Sequence, residues 1–416
     1  MSVFSKRADE FMKQYGMEPQ RTDLSQCTKG FLDEMSDGLR GGNSPVLMLP
    51  TYLTLEGELP LNRPVIVVDA GGTNFRSALV TMTDGGPVIE NLTVRPMPGS
   101  QGAITKEAFL DQVSDILLPL TKKSHQVGFC FSYAAEILPN GDGRVVAISK
   151  QVQIIGSEGM LLGKELSAAL VAKGEPGVEF VVLNDTVAAV LGGVAGLGDE
   201  VFDGFVGLIY GTGVNTCYSE CKENITKLTT PWQGDSMIIN MESAAFCGVP
   251  MGEFDRRLDQ ASVDCGKCQY EKMVSGRYQG GVIYHALRQG AEDGLFSAKL
   301  AGVLKRLDTL ELVEADAFTV RPYGDGLLAA ACDGEGDREL VYTIIDRSVA
   351  RAARLVCANL AAVLEQADLG RSIHRPACIV AEGSTFYKGY LFRGKLERLC
   401  TQYITETLGR HLVFRR

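Results

Sequence analysis

The stretch VIVVDAGGTNFR, residues 65–76, joins an apolar, β-branched run to a carboxylate, two glycines and several polar side chains. Two interpretations are open. The glycines, Gly71 and Gly72, can form a tight hairpin turn, because glycine adopts positive φ at no steric cost. Alternatively, their missing side chains let an anion approach the backbone N–H groups. The polar side chains that would then face the anion are Asp69, Thr73, Asn74 and Arg76.

The same order of strand, glycine turn and strand recurs in GFVGLIYGTGVNTCYSE, residues 204–220, and the strand at 377–382 ends in a Gly-Ser turn. Hydroxyls, amides and exposed N–H groups at such turns can hold phosphate oxygens. A Walker loop is excluded, because Glu158 and Glu165 stand where that motif requires its first glycine and its final Ser or Thr. The candidates at these two turns are Gly211, Thr212, Gly213, Asn215, Gly383 and Ser384.

The segment LNDTVAAV places Asn184 and Asp185 where an apolar strand meets a helix. Asn, Asp and Thr are preferred helix caps, so a structural role alone would explain them. The functional alternative is a general base. The helix dipole favours an anion at this position, so we expect the carboxylate of Asp185 to stay ionised. Such an aspartate can accept a hydroxyl proton during phosphoryl transfer.

Two glutamates lie in largely apolar surroundings, Glu242 in MIINMESAAF and Glu271 in CQYEKMVSG. Glutamate is usually a surface residue, and both can be explained that way. Together with Asn184 and Asn215 they would also suit hydrogen bonds to neighbouring sugar hydroxyls. Further donors are Ser132 in FSY and Ser149 and Lys150 in ISKQ.

The elements around these residues form two similar series. Residues 1–40 have the periodicity of two helices, and a helix is predicted near 106–120. From residue 65 onward the pattern is strand, glycine hairpin, strand, strand, then helix. It repeats after residue 178, with NITKLTT, residues 224–230, as the third strand. One long helix is predicted over 339–370, and a last helix near residue 392. This repetition predicts an α/β fold with two similar lobes.

Bulk properties exclude several classes of protein. The net charge of −10 opposes binding to nucleic acid or to an anionic membrane. The apolar runs are shorter than a membrane span, and the N-terminal residues lack a signal peptide's apolar centre. We therefore expect a cytoplasmic protein. The 11 cysteines are irregularly spaced, which does not fit a disulfide framework. A structural zinc site is not expected, because only CGKC and CYSEC approach metal-ligand spacing.

In combination, these motifs resemble those of the eukaryotic-type hexokinase family, in the family's order, from about residue 10 to residue 400. The phosphate motifs are similar to VVDAGGTNFRSALV and LIYGTGVNTCYSE, and the catalytic segment is similar to LNDTVAAV. The family's sugar-binding acids have counterparts in INMESAAF and YEKMVSG. Its connecting helix and adenosine motif resemble VARAARLVCANLAAVL and VAEGS.

The resemblance implies a two-lobed, actin-like ATPase (ribonuclease H-like) fold, with duplicated βββαβα units around an ATP and sugar cleft. The large lobe would comprise residues 1–64 and 186–396, and the small lobe 65–185 and 397–416. The implied reaction transfers the γ-phosphoryl of MgATP to the 6-hydroxyl of a hexose, glucose above all, as the first step of glycolysis. Mannose, fructose and glucosamine are further substrates to consider, and the protein would be a monomer or a homodimer.

The resemblance also implies a role for each matching residue. Asp185 would be the base on the 6-hydroxyl, and Lys150 would stabilise the transferring phosphoryl group. Asp69 would meet magnesium. The sugar would be held by Ser132, Ser149, Lys150, Asn184, Asn215, Glu242 and Glu271. The nucleotide would be held by Asp69, Gly71, Gly72, Thr73, Asn74, Arg76, Gly211, Thr212, Gly213, Gly383 and Ser384.

Two departures from the family's pattern bear on the sugar site. The family usually reads Phe-Ser-Phe-Pro where this chain has FSYA, so Ala134 replaces a proline, and Thr-Lys-Gly-Phe-Lys becomes SKQVQ, residues 149–153. A non-catalytic sugar sensor with the same fold is therefore an alternative. A kinase of the repressor-ORF-kinase type is another, since DCGKCQYE is similar to its zinc-bound cysteine cluster. The remaining zinc ligands of that cluster are missing here.

Overall fold

The computed structural model describes residues 2–55, 60–71, 74–148, 152–196 and 200–416. The chain forms two compact units and passes between them several times. Unit 1 consists of Met1–Met48, Val201–Thr216 and Met241–Arg416, and unit 2 of Leu49–Glu200 and Cys217–Asn240. Among the described residues, none of the helices combines the length and the apolar character needed to span a bilayer.

The strands within the described residues are β1 Leu49–Pro50, β2 Pro64–Ala70, β3 Asn74–Thr83, β4 Gly86–Pro96, β5 Ile104–Thr105, β6 Gln126–Phe131, β7 Ala134–Ile137, β8 Gly143–Ala147, β9 Ile154–Ile155, β10 Glu179–Leu183, β11 Gly204–Tyr210, β12 Val214–Cys221, β13 Ser236–Asn240, β14 Ala377–Glu382 and β15 Leu412–Arg415. The α-helices are α1 Val3–Gln14, α2 Leu24–Arg40, α3 Lys106–Thr121, α4 Leu162–Ala172, α5 Asp185–Gly196, α6 Glu253–Ala261, α7 Gln269–Val274, α8 Gly276–Glu292, α9 Ala298–Leu304, α10 Leu312–Val320, α11 Leu327–Ala331, α12 Glu335–Gln366, α13 Ser384–Lys388 and α14 Phe392–Leu399. Short 3₁₀ helices cover Pro19–Arg21, Lys222–Asn224 and Ser243–Ala245, and a π-helix covers Cys400–Thr405.

Unit 2 is built on a five-stranded sheet of order β10–β6–β2–β3–β4. The strands β2, β3 and β4 form the predicted antiparallel meander, whereas β6 and β10 run parallel to β2. Alternate residues such as Val68, Phe129 and Val182 are buried, and they pack with helices α3 and α4. The carboxyl ends of β2, β6 and β10 therefore meet at one edge of the sheet.

The third strand of the second series is not where the sequence predicted it. Residues 222–224 form a 3₁₀ helix, and the antiparallel partner of β12 is β13, with Cys221 opposite Ser236. The bond from Lys222 N to Asp235 O, 2.9 Å long, closes the segment between them into a connecting loop. NITKLTT is therefore part of a loop and not a strand.

Unit 1 combines three parallel strands, β11, β14 and β15, with a helical core. Its central helix α12 is 32 residues long, and most of its alanines are buried. Helices α1 and α8 pack against α12 in one apolar cluster. The predicted long helix is confirmed, and the chain then turns at Gly370, where φ is +76°.

The compact units place four segments differently from the predicted lobes. Residues 49–64 and 217–240 were expected in the large lobe but belong to unit 2. Residues 397–416 were expected with the small lobe but belong to unit 1, because β15 pairs in parallel with β14. Helix α5 was expected in the large lobe. It belongs to unit 2, because it continues directly from β10 and packs against β6.

Candidate active site

The first glycine turn joins β2 to β3 in unit 2. Its first peptide is fixed by a bond from Gly71 N to Asn74 O, 3.1 Å long. Gly72 and Thr73, which were predicted to face phosphate, lie outside the described residues. Antiparallel pairing places Asp69 opposite Arg76, and Arg76 Nη1 lies 2.6 Å from Asp69 Oδ2. Arg76 therefore holds the carboxylate of Asp69 in this structure.

Asp69 offers the type of oxygen donor that Mg²⁺ prefers. Magnesium is usually held by one or two carboxylates, by substrate phosphates and by water. Among the described residues, no group of three or more candidate metal-binding side chains occurs. The single carboxylate of Asp69 therefore fits a magnesium ion that is bound mainly by the phosphates of a nucleotide.

Asp185 lies at the same edge of the unit 2 sheet as Asp69. The parallel register aligns Asp69 with Cys130 of β6, and Cys130 with Leu183 of β10. Asn184 and Asp185 directly follow Leu183. The edge thus brings the candidate base and the candidate magnesium contact together within unit 2.

The environment of Asp185 differs from the expectation for a helix N-terminus. Burial raises the pKa of Asp185 above the ordinary carboxyl value, and the negative charge of Asp69 adds to the increase. Hydrogen bonds from Thr186, one of them Oγ1 to Asp185 Oδ1 at 3.2 Å, oppose the shift. The helix dipole alone predicted a more acidic group, but desolvation is the larger effect.

Asn184 caps helix α5. Its Oδ1 accepts a hydrogen bond from Thr186 N at 2.9 Å, as in the structural interpretation of LNDT. This bond uses the acceptor of the amide and not its donor group. Capping and ligand binding are therefore compatible at this residue.

Ser132 follows β6 at the same edge of the sheet. Its backbone N donates to Ala70 O at 3.3 Å, which joins the FSYA loop to the end of β2. Ala134, which replaces the family's proline, begins strand β7 and pairs with Ala147. Ser149 and Lys150, the other two residues predicted on this side, lie outside the described residues.

Unit 1 brings the predicted sugar-binding residues Asn215, Glu242 and Glu271 together. Glu271 Oε2 accepts a hydrogen bond from Val214 N at 3.2 Å, next to Asn215. Asn215 Oδ1 accepts from Thr216 N at 2.8 Å and from Ser243 N at 3.2 Å, next to Glu242. Burial raises the pKa of Glu271, which the nearby charge of Arg277 opposes and that of Glu242 reinforces.

Backbone geometry fixes two positions in this cluster. Glu242 has φ of 56° and ψ of 44°, a left-handed conformation that is uncommon outside glycine and marks a constrained site. A Cβ atom at position 213 would lie 2.8 Å from Glu271 Oε2, so glycine there makes room for the carboxylate. The second glycine turn therefore serves the acid cluster as well as the predicted phosphate contact.

The second and third turns adjoin each other in unit 1. Gly211 N donates to Gly213 O at 3.0 Å, and Gly211 O accepts from Gly276 N at 2.8 Å. Gly383 has φ of +123°, and a Cβ there would lie 2.3 Å from Tyr210 O. Thr212 and Ser384 are exposed. The structure thus groups the predicted nucleotide residues of unit 1 around one backbone junction.

Sequence reasoning missed a supporting residue of this site, Asn359 on helix α12. Its side chain is fully buried, and its Oδ1 accepts a hydrogen bond from Thr216 Oγ1 at 2.7 Å. Thr216 Oγ1 also lies 3.3 Å from Ser243 Oγ. The signal was a single asparagine in the otherwise apolar run VCANLAAV.

The segment GKE, residues 163–165, was excluded as the end of a Walker loop, and the structure gives it a different role. Asp142 Oδ1 accepts from Gly163 N at 2.6 Å, and Asp142 Oδ2 accepts from Lys164 N at 3.0 Å. The carboxylate of Asp142 thus occupies the N-terminus of α4, where a phosphate would bind in a Walker loop.

Comparison with known proteins assigns the family. A hexokinase family model matches residues 205–416, and a second hexokinase model matches residues 7–194. The chain therefore belongs to the hexokinase family, and the resemblance drawn from the motifs is confirmed.

Individual relatives agree with this assignment. Hexokinase-3 of Mus musculus is 29% identical over 375 residues, which cover 86% of this chain and 40% of the relative. The chain thus spans about 40% of the length of that relative. Hexokinase-1 of Schizosaccharomyces pombe is 28% identical over 419 residues, covering 94% of this chain and 84% of the relative.

Solved structures agree on the fold. The hexokinase of Schistosoma mansoni, complexed with glucose, matches with a TM-score of 0.77 and 22% identity, over 99% of this chain and 95% of that one. A second hexokinase crystal structure gives the same TM-score at 18% identity. The predicted fold class is confirmed.

Proposed function

We propose that the protein is an ATP-dependent hexose kinase that transfers the γ-phosphoryl group of MgATP to the 6-hydroxyl of glucose or a closely related hexose. The observation that carries this proposal is the position of Asp185 at the carboxyl edge of the unit 2 sheet, in line with Asp69 and the first glycine turn. That edge combines a proton acceptor with a carboxylate suited to magnesium, which phosphoryl transfer to an alcohol requires.

Asp185 acts as the general base in this proposal. It accepts the proton of the 6-hydroxyl as the hydroxyl oxygen attacks the γ-phosphorus and ADP leaves. Burial raises the pKa of Asp185, which makes the ionised carboxylate a stronger proton acceptor. Bound Mg²⁺ would neutralise charge on the phosphates, and Asp69 would contact it.

The acids of unit 1 hold the sugar. Carboxylates accept hydrogen bonds from hydroxyls more strongly than neutral groups do, and neighbouring sugar hydroxyls suit a pair of acids. Backbone N–H groups hold the side chains of Glu271 and Asn215, so these two residues need little rearrangement when a sugar binds. This preorganisation supports a hexose as the acceptor.

The test is a coupled ADP-release assay with glucose, mannose, fructose, glucosamine and N-acetylglucosamine. We expect turnover with glucose, and a decrease of about three orders of magnitude or more in Asp185→Ala, because removing a positioned base alone costs about 10²–10⁴-fold. Calorimetric titration with glucose accompanies the assay. A wild-type protein that binds glucose but turns over no hexose would instead be a sugar sensor.

A further inference from the structure

Tyr133 makes a hydrogen bond to the first glycine turn that the reaction scheme does not use. Its hydroxyl donates to Gly71 O at 2.8 Å. The side chain is 7% exposed, and its ring packs against Phe131 with centroids 5.0 Å apart. The hydroxyl thus reaches from the apolar core of unit 2 to the backbone of the turn.

With the bond from Tyr133, both backbone polar groups of Gly71 are hydrogen-bonded. On one side of this residue, Gly71 N donates to Asn74 O across the turn. On the other side, Gly71 O accepts from Tyr133. The preceding carbonyl, Ala70 O, accepts from Ser132 N at 3.3 Å. Two successive carbonyls at the end of β2 are therefore tied to two successive residues of the FSYA loop.

The Tyr133 hydroxyl is protonated under all physiological conditions, so it can always donate this hydrogen bond. Burial raises the pKa of Tyr133 to about 12, and the charge of Asp69 contributes to the increase. The hydroxyl therefore keeps its proton throughout the physiological pH range. A phenylalanine, which the family's Phe-Ser-Phe-Pro pattern has here, would fill the same space in the core but leave Gly71 O without this donor.

We propose that Tyr133 is a positioning residue that fixes the Gly71 peptide, at the start of the first glycine turn, where the nucleotide's phosphates bind. It acts through the Gly71 carbonyl and contacts neither sugar nor nucleotide itself. This inference rests on the proposed function, since it assigns the turn to phosphate binding. Because Ser132 precedes Tyr133, the same loop also links the turn to a predicted sugar contact.

The closing experiment uses Tyr133→Phe, which keeps the buried ring and removes only the hydroxyl. Calorimetric titration of the full chain with the magnesium complex of a non-hydrolysable ATP analogue measures the effect directly. We expect a three- to tenfold weaker Kd, roughly the value of one net hydrogen bond. In the coupled assay, KM for ATP should rise while the Kd for glucose alone changes less than about twofold.

The matched control is Tyr284→Phe. The Tyr284 hydroxyl also donates to a backbone carbonyl, Leu307 O, at 2.9 Å, but it belongs to helix α8 of unit 1. Both variants should lower the melting temperature, and only Tyr133→Phe should weaken nucleotide binding. Equal nucleotide affinity in wild type and Tyr133→Phe would overturn the inference, and so would a wild type that binds no nucleotide.

The same titrations separate this inference from the proposed function. A wild type that binds the nucleotide but phosphorylates no hexose would disprove the kinase proposal. The comparison of nucleotide affinities would then still decide the role of Tyr133.

Discussion

The carboxylate of Asp69 raises the pKa of Asp185 beyond the effect of burial alone. The two residues flank β6, where Cys130 is aligned with Asp69 in the strand register. Burial, and then the charges of Asp185 and Asp69, raise the pKa of the Cys130 thiol as well. The carboxyl edge of unit 2 is therefore a place where adding negative charge is costly and binding a proton or a cation is favoured.

A first prediction concerns the pH dependence of catalysis. The base form of Asp185 is lost as pH falls through a raised pKa, so kcat/KM should decline at a higher pH than an ordinary aspartate, with its pKa of about 3.9, would allow. Asp69→Asn removes one cause of the shift and should move this acid limb to lower pH, in addition to lowering the rate. The exposed Asp84, at the far end of β3, provides the control variant Asp84→Asn. An acid limb that stays in place in Asp69→Asn would contradict the coupling.

A second prediction concerns stability. The folded-state pKa of Asp185 is raised, so its contribution to stability is fully present below the unfolded-state pKa and is lost as pH rises through the folded-state value. Asparagine stays neutral at every pH. Asp185→Asn should therefore match wild type in acid and be more stable than wild type near neutral pH. Urea midpoints at both pH values measure the difference. A variant less stable than wild type at neutral pH would show that the ionised carboxylate is well solvated.

The acid cluster of unit 1 leads to a third prediction. Glu271→Gln preserves an oxygen acceptor for Val214 N but removes the negative charge offered to a sugar. We expect KM for glucose to rise about 10- to 100-fold, the equivalent of one hydrogen bond to a charged group, with KM for ATP nearly unchanged. Glu292→Gln, at the end of helix α8, is the control. Parallel increases in both KM values would assign Glu271 a general structural role.

A fourth prediction separates the role of Asn359 in the site from its role in the core. Asn359 Nδ2 is buried, and no hydrogen-bond partner for it occurs in the part of the chain that the structure describes. Asn359→Leu removes this unsatisfied donor but also deprives Thr216 Oγ1 of its acceptor. Stability should therefore change by less than about 1.5 kcal/mol, while KM for glucose rises several-fold. Denaturant unfolding measures the change in stability, and steady-state kinetics measure KM for glucose. A large loss of stability without a change in KM would refute the prediction.

A buried ion pair outside the site gives a fifth prediction. Arg351 Nη2 lies 2.5 Å from Asp255 Oδ2, and the side chains are 2% and 1% exposed. Asp255→Asn leaves the guanidinium buried without its counter-charge, which should cost about 3–5 kcal/mol of unfolding free energy. Adding Arg351→Met should recover part of the loss. The exposed pair Lys29–Asp33 provides a control, since Asp33→Asn should cost less than about 1 kcal/mol. Similar losses at the two sites would contradict the argument.

Local patterns predicted part of the fold. The helices α3 and α12 and the β2–β4 meander follow from short-range periodicity and glycine turns, and the structure has them where the sequence placed them. The pairing of Asp69 with Arg76 follows from hairpin register, although the sequence alone assigned both to the nucleotide.

Other properties depend on partners that are distant in the sequence. The pKa of Asp185 is raised because the folded chain buries it and brings Asp69 near, and a helix-dipole argument contains neither effect. Asn359 reaches Thr216 across 143 residues, so no local pattern indicates the contact. The residues after Cys221 have strand-forming composition, but the register of β12 with β13 leaves them in a loop.

The left-handed backbone at Glu242 restricts how the acceptor range of such an enzyme can be altered. Side chains with a branched Cβ fit this conformation poorly, at a cost of about 1–2 kcal/mol, whereas glycine, asparagine and aspartate tolerate it. Glu271 lies in helix α7, whose right-handed backbone places no comparable restriction on the type of residue. Directed evolution toward new sugars should therefore accumulate substitutions at position 271 and leave position 242 almost untouched.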